Sequence, residues 1–68
     1  MMRIYFNNRP IDLADENITV AELLRQQNVK SGGTAVAVNN KIVTHDIWEI
    51  KQICDGDSVM VISAAFGG

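Results

Sequence analysis

The stretch Ile18-Thr19-Val20-Ala21-Glu22-Leu23 contains the clearest helix start in the chain. Thr19 can cap the first turn, and Glu22, three residues later, can complete a capping box. Ile18 can pack on Leu23 as a hydrophobic staple across the helix start. The sequence therefore predicts a helix that begins directly after Thr19.

The helix ends where its apolar pattern dissolves. The segment "NVKSGG" at 28–33 offers two stop signals, Asn28 and the pair Gly32-Gly33, and either can terminate a helix. A helix with these limits is short, roughly two to three turns. One short amphipathic helix can cover only one face of a small sheet, so the remaining segments are expected to form that sheet.

The sequence on both sides of the helix alternates in the manner of β-strands. Asn and Pro residues at 7–10 predict a hairpin turn, and "NN" at 39–40 and "DGD" at 55–57 predict two further turns. The segment 44–54 favours a short helical turn or irregular packing over a regular element. The predicted strands are 2–6, 11–13, 34–38, 41–43 and 58–63.

This order of elements predicts an α+β fold of the β-grasp, or ubiquitin-like, type. About four to five strands would form a mixed sheet packed on one main helix. The first and last strands would lie side by side and parallel at its centre, joined by a long crossover. We expect residues 1–63 to form this domain and residues 64–68 to form a flexible C-terminal tail that ends in two glycines.

Composition excludes several classes of function. The chain has 68 residues, six basic and eight acidic, with a net charge of −2 and no Lys/Arg cluster, so nucleic-acid binding is not expected. The lone cysteine, Cys54, can form neither an internal disulfide nor, with a single histidine, a metal site. No signal peptide or apolar span is present, which favours a cytoplasmic protein without membrane association.

The C-terminal end raises a chemical possibility. Gly67 and Gly68 lack side chains, so their backbone could thread a channel too narrow for other residues. Five residues after the last strand could carry the carboxylate more than ~10 Å from the domain. A frayed end rich in glycine is the ordinary alternative, and composition alone favours it.

The whole pattern resembles the ThiS family of sulfur carriers in thiamine biosynthesis. The resemblance rests on "IYFN", "TVAELL", "VAVNNKIV", Trp48, "DGDSV" and the terminal "GG", in order and over essentially the whole chain. More loosely, the chain is similar to the small subunit of molybdopterin synthase and to ubiquitin. It departs from the family at Thr44-His45, where Pro-Arg is common, and at Phe66, where a small residue is common.

The resemblance implies that the chain is a protein co-substrate and not an enzyme. A ThiF-like adenylyltransferase would consume ATP to adenylate the Gly68 carboxylate, and sulfur from a persulfide generated by a cysteine desulfurase would then form a thiocarboxylate. A ThiG-like thiazole synthase would accept that sulfur. Gly67, Phe66 and Ala65 would thread the partner's active site, while the chain itself would bind no cofactor or metal and contribute no catalytic residue.

The last strand suggests a surface for docking these partners. Val59 and Val61 should face one side of the sheet, whereas Met60 and Ile62 should face the other. If the valines face the helix, Met60 and Ile62, together with Tyr5 on the neighbouring strand, form an exposed apolar patch. A central strand that is simply apolar on both sides explains the pattern equally well.

Other readings remain open. The thiocarboxylate could supply the pterin of the molybdenum cofactor instead of a thiazole, or the chain could be a ubiquitin-like binding module whose tail is incidental. A nucleophilic site assembled from His45-Asp46 and Cys54 is disfavoured, because so small a domain offers scarcely any cleft that excludes water. Trp48 is expected to be the largest anchor of the core.

Overall fold

A computed structural model describes residues 1–29 and 33–63. Within these ranges, one mixed sheet contains, in spatial order, the strands β2 (Arg9–Leu13), β1 (Met2–Phe6), β7 (Ser58–Ser63), β4 (Thr34–Val38) and β5 (Lys41–Val43). A separate two-stranded ladder contains β3 (Ile18–Thr19) and β6 (Gln52–Ile53). The central pair β1 and β7 is parallel, and the other pairs are antiparallel. This arrangement confirms the predicted β-grasp architecture. The main helix is α1 (Val20–Gln26), and a 3₁₀ turn spans His45–Ile47.

The first hairpin turns on two residues, not the four predicted. Asn7 and Asn8 have φ values of 51° and 68°, the pair of positive values that a type I′ turn requires. β2 therefore begins at Arg9, and Pro10 lies within it opposite Tyr5. A proline fits there because β2 is an edge strand, where its missing N–H breaks no ladder hydrogen bond.

The helix starts as its sequence predicts. Thr19 is the N-cap: the Glu22 N–H donates to its Oγ1 at 3.2 Å, and its own N–H donates to Glu22 Oε1 at 2.9 Å. At the other end Asn28 has a φ of 60°, its N–H bonds to the Arg25 carbonyl at 3.2 Å, and the next N–H bonds to the Leu24 carbonyl at 2.9 Å. These two bonds form a Schellman motif, so Asn28 is the stop signal that the chain uses.

The segment after β5 combines a 3₁₀ turn with a short strand. β6 pairs with β3, with Ile18 opposite Ile53, a ladder that the sequence did not predict because two-residue strands show no periodicity. The segment also satisfies the helix start, since the Val20 N–H donates to the Lys51 carbonyl at 2.9 Å and the Ala21 N–H to the Trp48 carbonyl at 3.0 Å. Two donors that a helix N-terminus leaves unpaired are thus bonded.

The core lies between the helix and the inner face of the sheet. Trp48 is a large anchor of this core, as predicted: it is 5% exposed, and its indole N–H donates to the Val43 carbonyl at 2.8 Å. No buried side-chain nitrogen or oxygen lacks a partner in the part of the chain that the structure describes. The buried apolar residues are Met2, Ile4, Leu13, Ile18, Val20, Ala21, Leu23, Leu24, Val36, Val38, Val43, Trp48, Ile53 and Val59.

Candidate functional site

The site predicted from sequence has two parts, and the structure describes one of them. The tail residues Ala65, Phe66, Gly67 and Gly68 lie outside the described residues. The strand that leads to them, β7, is the central strand of the sheet, between β1 and β4. The other predicted residues, Met60, Ile62 and Tyr5, lie on β7 and on β1.

β7 continues past the end of its parallel neighbour. The last residue of β1, Phe6, lies opposite Val59. Asn7 then extends the ladder: its N–H donates to the Val59 carbonyl at 2.8 Å, and its side-chain Oδ1 accepts from the Val61 N–H at 2.8 Å. An asparagine side chain therefore replaces a strand beside the end of β7.

On the other side, β4 accompanies β7 to Ser63, which lies opposite Thr34. The His45 ring nitrogen Nε2 lies 2.9 Å from the Thr34 carbonyl, and the imidazole stacks on Trp48 with centroids 3.9 Å apart and planes at 23°. His45 thus contacts the first residue of β4, Thr34, which lies beyond the part of β4 that pairs with β5. One of the two departures from the family pattern, Thr44-His45, therefore has a packing role.

The two faces of β7 differ as the alternation predicts. Val59 is 1% exposed in the core, whereas Met60 is 36% and Ile62 is 61% exposed on the outer face. Tyr5, on the same face of β1, is 43% exposed. Of the two interpretations of the strand, the exposed apolar patch is therefore the one that the geometry fits.

The sequence analysis missed one member of this patch. Ile42 on β5 is 69% exposed and lies opposite Ala37, which in turn lies opposite Met60. Since paired residues share a face, these side chains form one row across the sheet. The alternation of "KIV", with Val43 buried, was the signal that could have found it. We call Tyr5, Ile42, Met60 and Ile62 the sheet-face patch.

An ion pair borders the patch on the β1–β2 side. Arg3 Nε donates to Asp12 Oδ1 at 2.9 Å on the outer face of the sheet. This hydrogen bond lowers the pKa of Asp12 and raises the pKa of Arg3 from their ordinary values. Both groups are therefore charged at neutral pH, and the patch has a polar margin next to the edge strand β2.

The disfavoured nucleophilic site is not assembled. Cys54 is exposed next to the start of β7, where its N–H donates to Asp57 Oδ2 at 2.8 Å. His45 is bonded near the opposite end of the strand, beside Thr34. Among residues 1–29 and 33–63, no three His, Cys, Asp or Glu side chains are grouped to hold a metal ion. No helix within those ranges is long and apolar enough to cross a membrane.

Comparisons with known proteins agree with the geometry. Residues 4–68 match the model of the ThiS family. The sulfur carrier protein ThiS of Escherichia coli (strain K12) is 34% identical over 67 residues, which cover 98% of this chain and 100% of that protein.

Solved structures show the same likeness. The crystal structure of the thiamine biosynthesis protein ThiS from Geobacter metallireducens has a TM-score of 0.85 at 25% identity, covering 98% of this chain and 100% of that one. The solution structure of a thiamine biosynthesis protein from the same organism has a TM-score of 0.82, again at 25% identity, covering 98% of this chain and 88% of that one. With a family model that matches nearly the whole chain and a full-length relative above 30% identity, this chain belongs to the ThiS family.

Proposed function

We propose that this chain is a sulfur carrier for thiazole formation in thiamine biosynthesis, with sulfur carried on the C-terminal carbonyl of Gly68. Membership of the ThiS family supports the proposal, and so does the name of its relative in Escherichia coli. The structural observation behind it is that the central strand β7 leads directly to the terminal segment. The chain is then a substrate of its partner enzymes and supplies no catalytic residue.

The proposed chemistry begins at the Gly68 carboxylate. A carboxylate oxygen attacks the α-phosphorus of ATP, and pyrophosphate leaves. In the resulting acyl adenylate the carbonyl carbon of Gly68 is bonded to AMP, which is a good leaving group. The terminal sulfur of a cysteine persulfide then attacks the carbonyl carbon, and the bond to AMP breaks. A thiol finally reduces the resulting acyl disulfide to the thiocarboxylate, so that the thiol becomes a disulfide. ATP is consumed by the partner, and the carrier binds no cofactor of its own.

Three partners follow from this scheme: a ThiF-like adenylyltransferase, a persulfide donor charged by a cysteine desulfurase, and a ThiG-like thiazole synthase. Because the first step uses ATP, we propose the cytoplasm as the place of reaction. Met60, Ile62 and Tyr5 are the proposed docking surface for the enzyme that activates the tail. Ala65, Phe66 and Gly67 are proposed to enter its active site.

The exposure and position of the sheet-face patch support its proposed role in docking. Ile62 lies one residue before the end of β7, so a protein that covers it is also close to the start of the tail. Exposed apolar side chains grouped on one face are typical of protein interaction sites. A partner on this face would hold the domain while the carboxylate reaches the adenylating centre.

The test is the intact mass of the protein after incubation with a ThiF-type adenylating enzyme, ATP, a cysteine desulfurase and cysteine. We expect a gain equal to the exchange of one oxygen for sulfur, located on the C-terminal peptide. The matched control is a variant that lacks Gly68, which should gain nothing. An unchanged mass, while the same enzymes convert the Escherichia coli carrier, would contradict the proposal.

The acceptor is tested separately. The thiocarboxylate form should deliver its sulfur when it is mixed with a thiazole synthase and that enzyme's small-molecule substrates. Delivery only to a molybdopterin synthase would move the chain to the pterin pathway. A Gly68 deletion that retains full biological function would indicate a ubiquitin-like binding module instead.

A further inference from the structure

The two edges of the main sheet end in hairpins of the same type, and one difference between them concerns the edge backbone. Both outer hairpins turn on an Asn-Asn pair with positive φ. In the first hairpin the turn is followed by Arg9 and Pro10, and in the second by Lys41 and Ile42. The sheet therefore carries a proline at one edge and an exposed isoleucine at the equivalent position of the other.

The pairing in the second hairpin shows which backbone groups remain open. Val38 and Lys41 flank the two-residue turn, and Ala37 lies opposite Ile42. In an antiparallel hairpin of this kind the flanking pair exchanges both main-chain hydrogen bonds and the next pair exchanges none. The N–H and C=O of Ile42 therefore point away from β4, toward the open edge of the sheet.

The equivalent position in the first hairpin is closed. Pro10 lies opposite Tyr5, one pair beyond the turn, so its ring nitrogen occupies the place of the outward N–H. Proline on an edge strand prevents another strand from pairing there. β5 lacks this protection, and its one outward N–H belongs to a residue whose side chain is 69% exposed.

A groove of about 320 Å³ lies beside β5, so a strand that pairs with β5 could also contact side chains. Its lining contains four apolar residues, one asparagine and two lysines. Ile42 lines the groove and also belongs to the sheet-face patch, so the groove and the patch meet at this residue. The lining residues are Val38, Asn39, Lys41, Ile42, Val43, Ile47 and Lys51.

The charges indicate what kind of segment fits. Neither Lys41 nor Lys51 forms an ion pair within residues 1–29 and 33–63, although the chain as a whole is acidic. A second copy of the chain would bring its own lysines against these, and like charges at an interface are unfavourable. An extended segment that contains both apolar and acidic residues would instead complement the apolar lining residues and the lysines.

We propose that the enzyme that activates the tail adds such a segment, as a strand, to the edge of β5. The proposal rests on the function proposed above and identifies a second contact on the same partner. The added strand makes main-chain hydrogen bonds to Ile42 and places carboxylates near Lys41 and Lys51. It holds the carrier by its edge while the sheet-face patch is covered.

The test is steady-state adenylation of the full-length carrier by the adenylating enzyme, measured as pyrophosphate release. Ile42→Pro removes the outward N–H and copies the residue that the first hairpin already carries. We expect it to raise KM for the carrier about fivefold to tenfold with kcat unchanged. A loss of affinity of this magnitude corresponds to the loss of one hydrogen bond. Ile42→Ala is the control for the side chain, because it removes most of the isoleucine side chain and keeps the backbone N–H.

Charge reversal tests the lysines. Lys41→Glu with Lys51→Glu should raise KM about tenfold or more at low salt, an effect that added salt reduces. The matched controls lie in the first hairpin, where Arg9→Glu and Pro10→Ile should leave KM unchanged. Amide hydrogen exchange of the wild-type complex should slow at Ile42.

The outcomes separate this proposal from the proposed function. If wild-type carrier is not adenylated at all, the function proposed above fails. If wild-type carrier is adenylated and folded Ile42→Pro has the same KM, with Ile42 exchange unchanged in the complex, the strand addition is refuted and the carrier function stands. A KM rise as large in the Arg9→Glu control would likewise overturn the assignment to the β5 edge.

Discussion

Thr19 and Glu22 show how two residues can determine where a helix begins. The Thr19 hydroxyl accepts the Glu22 N–H, and the Glu22 carboxylate accepts both the Thr19 N–H and its hydroxyl. Replacing an N-cap threonine by alanine costs about 1 kcal/mol of stability. The cap matters here because α1 has only seven residues and short helices depend on their ends.

The capping box gives a pH prediction. The Thr19 backbone N–H lowers the pKa of Glu22 from its ordinary value. The ionised Glu22 carboxylate therefore stabilises the folded protein fully at pH values above the unfolded pKa of about 4.3. This contribution to the free energy of unfolding is lost as the pH falls through the lower folded pKa. Glu22→Gln should be less stable than wild type at pH 7, and the difference should vanish at acidic pH.

Urea unfolding of the two proteins between pH 7 and pH 2.5 measures this difference. Glutamine keeps the geometry of a capping box, so the comparison isolates the charge. A stability difference that stays constant over the whole pH range would show that the Glu22 carboxylate contributes no charge-dependent stabilisation.

At the level of elements, asparagine residues form both hairpin turns of the main sheet and the end of the helix. Among the described residues every non-glycine residue with positive φ is an asparagine. Asparagine tolerates the left-handed region better than other side chains and bonds locally, so it can close hairpins and end a helix. These residues are Asn7, Asn8, Asn28, Asn39 and Asn40.

Asn7 has two roles that substitutions can separate. Asn7→Gly keeps the positive φ but loses the hydrogen bond from the Val61 N–H, at a cost of about 0.5–1.5 kcal/mol. Asn7→Ala also places a Cβ in a left-handed conformation, for a further cost of about 1 kcal/mol. Asn8→Gly is the matched control and should be close to neutral.

Chemical denaturation measures the free energy of unfolding of each variant. Amide hydrogen exchange at Val61 reports whether the hydrogen bond from its N–H to Asn7 is present. We expect exchange at Val61 to accelerate in both Asn7 variants and to be unchanged in Asn8→Gly. Equal stabilities for Asn7→Gly and wild type would mean that the side-chain bond beside the end of β7 contributes nothing.

At the scale of the whole molecule, β7 serves two faces at once. Its inward residues pack on the core beneath α1, and its outward residues form part of the sheet-face patch. The turn before β7 is held to the start of β1, since the Gly56 N–H donates to the Arg3 carbonyl at 2.7 Å and the Arg3 N–H donates to Asp55 at 2.8 Å. Hydrogen bonds to β1 therefore hold the turn before the central strand, and hydrogen bonds to Asn7 and β4 hold the C-terminal half of the strand.

Two substitutions on this one strand should have opposite effects. Ile62→Ser on the outer face should change stability by less than about 0.5 kcal/mol but raise KM for adenylation. Val59→Ala in the core should cost about 2 kcal/mol of stability and leave the KM of the folded protein unchanged. Thermal unfolding and adenylation kinetics on the same samples measure both effects.

The docking role of the sheet-face patch would be contradicted if Ile62→Ser and wild type had equal KM values. It would also be contradicted if Val59→Ala, at a temperature where it is fully folded, raised KM as much as Ile62→Ser. Met60→Ser should resemble Ile62→Ser, because both side chains lie on the outer face of β7.

Much of the fold could be predicted because its signals are local. The capping box, the turn at 39–40 and the alternation of β1 and β7 each act within a few residues, and their elements formed as predicted. The first turn is shorter than predicted, because β2 begins at Arg9. The family followed from the order of these pieces along the chain. The tail prediction at Gly68 stays a prediction, because it concerns chemistry on residues outside the described ranges.

Three features could be read from the sequence alone, since each depends on neighbours in the chain: the start of the helix, the approximate positions of the hairpin turns, and the opposite facing of Met60 and Val59. The tertiary structure decided what depends on distant pairing. It placed Ile42 in the row of Met60, paired β3 with β6, and set His45 against the Thr34 carbonyl. A short strand carries too little periodicity to specify its partner, so register and edge position exist only once the sheet has assembled.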